Sequence, residues 1–108
     1  MSKISIMQGE SLYIPIYLEF DDSSPVSAQD VGDIEVMIGR WQRRFAQGEI
    51  EYVERYAAFL IPVSQEESFA LPAGPHKIQV RIKSVDGHVM GENTGELLVK
   101  GSLSKVVM

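Results

Sequence analysis

Three arginines and the only tryptophan of the chain fall within six residues, Arg40-Trp41-Gln42-Arg43-Arg44-Phe45. Trp and Arg are the side chains most enriched where protein interfaces concentrate their binding energy, and guanidinium beside aromatic rings also suits stacking on single-stranded nucleic acid or sugar. The formal net charge of −5 sets protein contact ahead of nucleic acid, because a nucleic-acid surface needs an excess of Lys and Arg. The competing structural reading puts Trp41 in the core and pairs the guanidinium groups with Glu49, Glu51 and Glu54 on the following strand. The interaction candidates in this segment are Trp41, Arg43, Arg44 and Phe45. Tyr13 and Tyr17 join them from another strand, where they point away from the apolar stripe and could stack on a glycan.

Other chemistry is thinly represented. His76 and His88 are the only histidines, and neither stands beside a carboxylate at metal-ligand spacing, so both read as exposed residues at strand ends. No Gly-x-Ser-x-Gly elbow accompanies the serines, and a Ser-His-Asp triad would have to be chosen freely. The absence of cysteine removes thiolate metal sites, thiol catalysis and disulfides. Asp21, Asp22, Asp30 and Asp33 crowd one connection but lack the alternating spacing of a calcium loop, so solvated carboxylates forming Asx turns are preferred to a cation site. Leu71-Pro72-Ala73-Gly74 resembles part of a sortase signal without its threonine or the apolar tail that should follow. These observations lead to the expectation of a non-enzymatic protein with no cofactor, no metal and no catalytic residues.

The elements that must position these groups are mostly strands. From Leu12 to Phe20 apolar side chains recur at every second position, and Ile78, Val80 and Ile82 alternate with Gln79, Arg81 and Lys83 in the same way. Pro15 confines the first of these strands to a sheet edge or a bulge. Shorter strands are expected at Lys3 to Met7, Asp33 to Gly39, Glu49 to Arg55, Ala57 to Val63, His88 to Gly91 and Glu96 to Lys100. Asp86-Gly87 signals a hairpin, and Gln8-Gly9 and Glu92-Asn93-Thr94-Gly95 signal turns. Ser64 followed by Glu67 forms a capping box for a helical turn that Pro72 must stop. The 40 to 48 segment, bounded by Gly39 and Gly48, reads as an extended loop or a bent strand end.

The pattern amounts to an all-β, immunoglobulin-like antiparallel sandwich of about seven to eight short strands with one helical turn near 64–69. A length of 108 residues suits a single domain with one core, here residues 1–108, and residues 102–108 read as a tail that frays or exchanges as a strand. An apolar fraction of 44% and a charged fraction of 23% are ordinary for a soluble globular domain. The start alternates polar and apolar residues instead of building the apolar run of a signal peptide, and no stretch approaches a membrane span.

Taken in order, Gln8-Gly9-Glu10-Ser11, Asp33-Ile34-Glu35-Val36, Phe59-Leu60-Ile61-Pro62 with Ser64-Gln65-Glu66-Glu67-Ser68-Phe69, Gly74 ahead of Ile78-Gln79-Val80-Arg81-Ile82, Asp86-Gly87 and Gly95-Glu96-Leu97-Leu98-Val99 form one series. This series resembles the small immunoglobulin-like domain at the N-terminus of baseplate upper proteins, and related short tail-associated proteins, of phages and prophages in Gram-positive bacteria. Pro75 and His76 depart from the family pattern, and the chain stops where baseplate upper proteins continue into a larger region. The resemblance implies a stand-alone accessory or connector in a tail or baseplate. Its partners would be other phage structural proteins, as a homo-oligomer or attached to a ring, with no nucleic acid and no membrane. It would be found in the virion, or in the host bacterial cytoplasm before assembly. A carbohydrate-binding sandwich module presenting Trp and Tyr is the alternative expectation.

Overall fold

Sequence alternation becomes two packed sheets. The computed structural model describes residues 2–104 and 106–108 and, of residues 2, 3 and 92–94, the backbone. The strands are β1 (Ser2–Met7), β2 (Leu12–Ile16), β3 (Val31–Ile38), β4 (Trp41–Arg44), β5 (Glu51–Val53), β6 (Ala58–Val63), β7 (Gly74–Ser84) and β8 (Val89–Lys100), with one helix, α1 (Gln65–Ala70), between β6 and β7. A five-stranded sheet has the order β1-β8-β7-β3-β4, and a three-stranded sheet the order β2-β6-β5. Every named pair is antiparallel except β1 with β8. In immunoglobulin terms β2, β6 and β5 stand as strands B, E and D, and β8, β7, β3 and β4 as G, F, C and C′, with β1 added alongside G. The expected all-β sandwich is therefore the architecture found.

Period-two patterning decides which side chains meet between the sheets. Ile14 and Ile16 of β2 lie across from Ile61 and Phe59 of β6. They face Ile34, Val36 and Ile38 of β3 and Ile78 and Val80 of β7, which are themselves in register. Phe59 is fully buried at the centre, and burial of a side chain of this class is worth about 1.5–3 kcal/mol. Pro15 stands on β2, an edge strand of its sheet, where a proline is tolerated.

Helix α1 forms as its cap dictates. Ser64 Oγ accepts the Glu67 N–H at 3.1 Å, and Glu67 Oε1 accepts the Ser64 N–H at 2.9 Å. Chain direction then changes over Leu71 to Ala73 and, at a φ of +121°, Gly74 opens β7. The Leu-Pro-Ala-Gly joint thus carries the chain from the small sheet to the large one.

Three expectations are corrected. His88 to Gly91 and Glu96 to Lys100 belong to one strand, β8, whose backbone runs through 92–95 with a register shift opposite Ile78 and Gln79. Glu49 to Arg55 shortens to β5, because Glu54–Tyr56 turns as a 3-10 helix ending in Ala57 at a φ of +49°. The 40 to 48 segment begins as a true strand, β4, hydrogen-bonded along β3.

Candidate interaction site

Strand β4 is the outer edge of the large sheet, and its pairing fixes which way each side chain points. Trp41 pairs with Ile38 and Arg43 with Val36, so both occupy the inward face, while Gln42 and Arg44 take the outward one. Phe45, whose N–H donates to Ile34 O at 2.9 Å, continues the inward row and sets its ring edge-on to Phe59, with centroids 5.6 Å apart. Trp41, Arg43 and Phe45 are each half-buried.

Inward-facing Arg43 is held from both sides. Its Cζ lies 3.8 Å from the centroid of the Trp41 ring, within cation–π range. Nη2 reaches Glu67 Oε2, and Nη1 donates to Gln42 O at 2.7 Å. Glu67 in turn belongs to the cap of α1, so one chain of contacts runs from helix start to carboxylate, guanidinium and indole. The Ser64 N–H holds the Glu67 carboxyl below its ordinary value against the opposing effect of partial burial, and Arg43 adds to the lowering. This side of Trp41 and Arg43 is preorganised, and their other side is open.

Two clefts meet at Glu67. One, of about 520 Å³, is walled by Arg40, Trp41, Leu71, Pro72 and His76. There His76 Nε2 donates to Pro72 O at 2.7 Å. The other cleft, of about 620 Å³, is walled by Tyr13, Arg43, Glu49, Pro62 and Glu67. Tyr13, 57% exposed, is thereby brought to the Arg43 side. Tyr17, 62% exposed, lies past the end of β2 and is in neither cleft.

The expected partners of the guanidinium groups were the wrong glutamates. Arg43 pairs with Glu67, and Arg44, on the outer face, pairs with Asp33, its Nε lying 2.9 Å from Oδ2. Glu49 instead accepts the Arg44 backbone N–H at 3.0 Å. The reason is direction: inward and outward residues of β4 meet α1 and the start of β3, where Glu67 and Asp33 stand. Nor does Trp41 close the middle of the core, which Phe59 fills with Phe45 and Tyr52 against it.

The clustered aspartates have local duties. Asp22 Oδ1 accepts the Ser24 N–H at 2.9 Å and Asp30 Oδ2 the Ser27 N–H at 2.8 Å. Asp33, only 7% exposed, accepts the N–H groups of Ile34 and Ala46 at 2.8 and 2.9 Å. Burial pushes the Asp33 carboxyl up, and the Ala46 N–H with Arg44 and the Ile34 N–H more than offset it, leaving a lowered value. Among the described residues no group of three or more His, Cys, Asp or Glu side chains is gathered to hold a metal ion, and no helix is long and apolar enough to cross a membrane. His88 sits on the β7–β8 turn, its Nδ1 3.1 Å from Asp86 Oδ1.

A second cleft system escaped the sequence. Between the β2–β3 connection and the β7–β8 hairpin, Phe20 and Met90 stand exposed over an apolar floor. A signal existed in Phe20 and Met90 themselves, large apolar residues each placed beside a turn.

No protein-family model matches this chain, and no curated protein or solved structure matches it.

Proposed function

We propose that the protein is a non-enzymatic structural component of a phage or prophage tail or baseplate, an accessory or connector that works through protein contacts. The observation that carries the contact role is the Trp41–Arg43–Glu67 arrangement: a half-exposed indole stacked under a guanidinium, held rigid by a helix cap, at a sheet edge between two open clefts. Large rigid aromatics and Arg contribute most to binding when their conformation is settled beforehand, because little side-chain entropy is then lost on association. The tail assignment rests on the resemblance in the order of motifs, and the immunoglobulin-like strand order agrees with what that resemblance implies. Two of its motifs also touch, since the Gly9 N–H donates to Ser68 Oγ at 2.8 Å.

Gene order tests the assignment. A position among tail, capsid and lysis genes is expected, and a position far from all of them would remove the support for a tail role.

The exposure of Tyr13 and Tyr17 favours a second reading, a glycan-stacking module. A glycan array with cell-wall sugars decides it: binding lost in Tyr13→Ala and Tyr17→Ala supports the module, and an array without binding rejects it.

A further inference from the structure

We propose that residues 103–108 of one copy dock into the cleft between the β2–β3 connection and the β7–β8 hairpin of the next copy, joining copies head to tail. The exit of β8, from which this segment leaves, and the cleft lie at opposite ends of the molecule. Gly74 pairs with Val99 and Lys83 with Val89, so the eleven-residue β7 separates the exit of β8 from the hairpin by roughly 35 Å. At the exit the Ser102 N–H donates to Gln8 Oε1 at 3.4 Å, and beyond it Leu103, Val106, Val107 and Met108 are exposed. At the hairpin end lies a cleft of about 290 Å³ with Val26, Val31 and Val80 buried in its floor and Phe20 and Met90 exposed on its rim. That volume is small for a drug-sized ligand, for which roughly 300–1,000 Å³ is usual, and suits a few aliphatic side chains.

Charge selects between the clefts. The rim of the hairpin-end cleft carries the carboxylates of Glu19, Asp21 and Asp30, and the 103–108 segment carries Lys105 among its apolar residues. The Trp41 cleft is bordered by Arg40 and His76, and its one carboxylate, Glu67, is already paired with Arg43, a poorer match for a lysine. It also lies at the same end as the exit of β8, by Ile38 and the start of β7. A contact between two different surfaces leaves both copies with a free half, so it propagates into a ring or a filament. This goes beyond the Trp41 contact and does not depend on the tail assignment, since its test uses the purified chain alone.

The test is light scattering after size exclusion over a range of concentrations, with circular dichroism to verify folding. The unsubstituted chain should grow past the dimer as concentration rises. Met90→Lys, which blocks the cleft, and Val106→Asp with Val107→Asp, which blocks the segment, should each be monomeric, and Phe20→Lys replaces Met90→Lys if that variant does not fold. Mixing the two blocked variants should give a dimer that grows no further, because each retains one intact half. An unsubstituted chain that stays monomeric, association that survives either block, or a mixture that stays monomeric would overturn the proposal.

Discussion

Arg43 bridges Trp41 and Glu67: its guanidinium carbon lies 3.8 Å from the indole centroid while Nη2 reaches the carboxylate on α1. The indole is the only one in the chain, so its fluorescence reports on this site. Replacing Arg43 by Ala removes the stack and the ion pair together. We expect a shift of the Trp41 emission and a loss of stability of about 1 kcal/mol, in the range of a partly exposed cation–π contact. Emission identical to that of the unsubstituted chain would show that the stack is not formed in solution.

Acid should weaken the fold through Asp33 and Glu67. Both carboxyl groups sit below their ordinary values. Groups lowered on folding contribute stability above the unfolded-state value and lose it as pH falls through the folded one. Stability should therefore hold at neutral pH and decline as pH drops through about 4 and below. In Asp33→Asn the decline should be shallower, as urea melts across the acid range would show.

Gly9 cannot be enlarged. It adopts a φ of +91°, and a Cβ there would stand 2.7 Å from Cζ of Phe69. Gly9→Ala should cost more than about 1 kcal/mol, since both the left-handed backbone and the ring contact oppose it. Denaturant midpoints measure this directly, and an unchanged midpoint would mean that the turn and α1 are not packed together.

The cap of α1 should matter beyond the helix. Ser64→Ala removes the acceptor of the Glu67 N–H, at a cost of about 1 kcal/mol. Because the cap also positions Glu67 for Arg43, the Trp41 emission should shift as well. A loss of stability with no change at Trp41 would separate the cap from the indole site.

Strands with clean alternation, such as β2 and β7, were legible from spacing because one face is apolar and the other wet. Strand β4 was not, although Trp41, Arg43 and Phe45 do alternate with Gln42 and Arg44. Its inward face carries an arginine, whose ion-pair partner there, Glu67, is distant in sequence. Asp33 read as a loop carboxylate for the same reason: its partners Arg44 and Ala46 arrive from another strand and the turn after it. The helical turn ahead of the Leu71 to Gly74 joint and its stop were readable, since the capping box and Pro72 are local signals. The β8 strand was split in two by the turn-like Glu92-Asn93-Thr94-Gly95, where sheet pairing with β7 overrides local preference. The Trp41 side of the candidate site was thus visible in residue types, while the partners that order it were not.

Mass spectrometry of tail particles, purified after prophage induction from cells carrying either the unsubstituted gene or Trp41→Ala, bears most directly on a contact role within a tail. The unsubstituted chain should copurify with the particles at constant stoichiometry, and Trp41→Ala, verified as folded, should be depleted from them. Particles that lack the unsubstituted chain, or that hold both forms equally, would refute a tail component docked through Trp41.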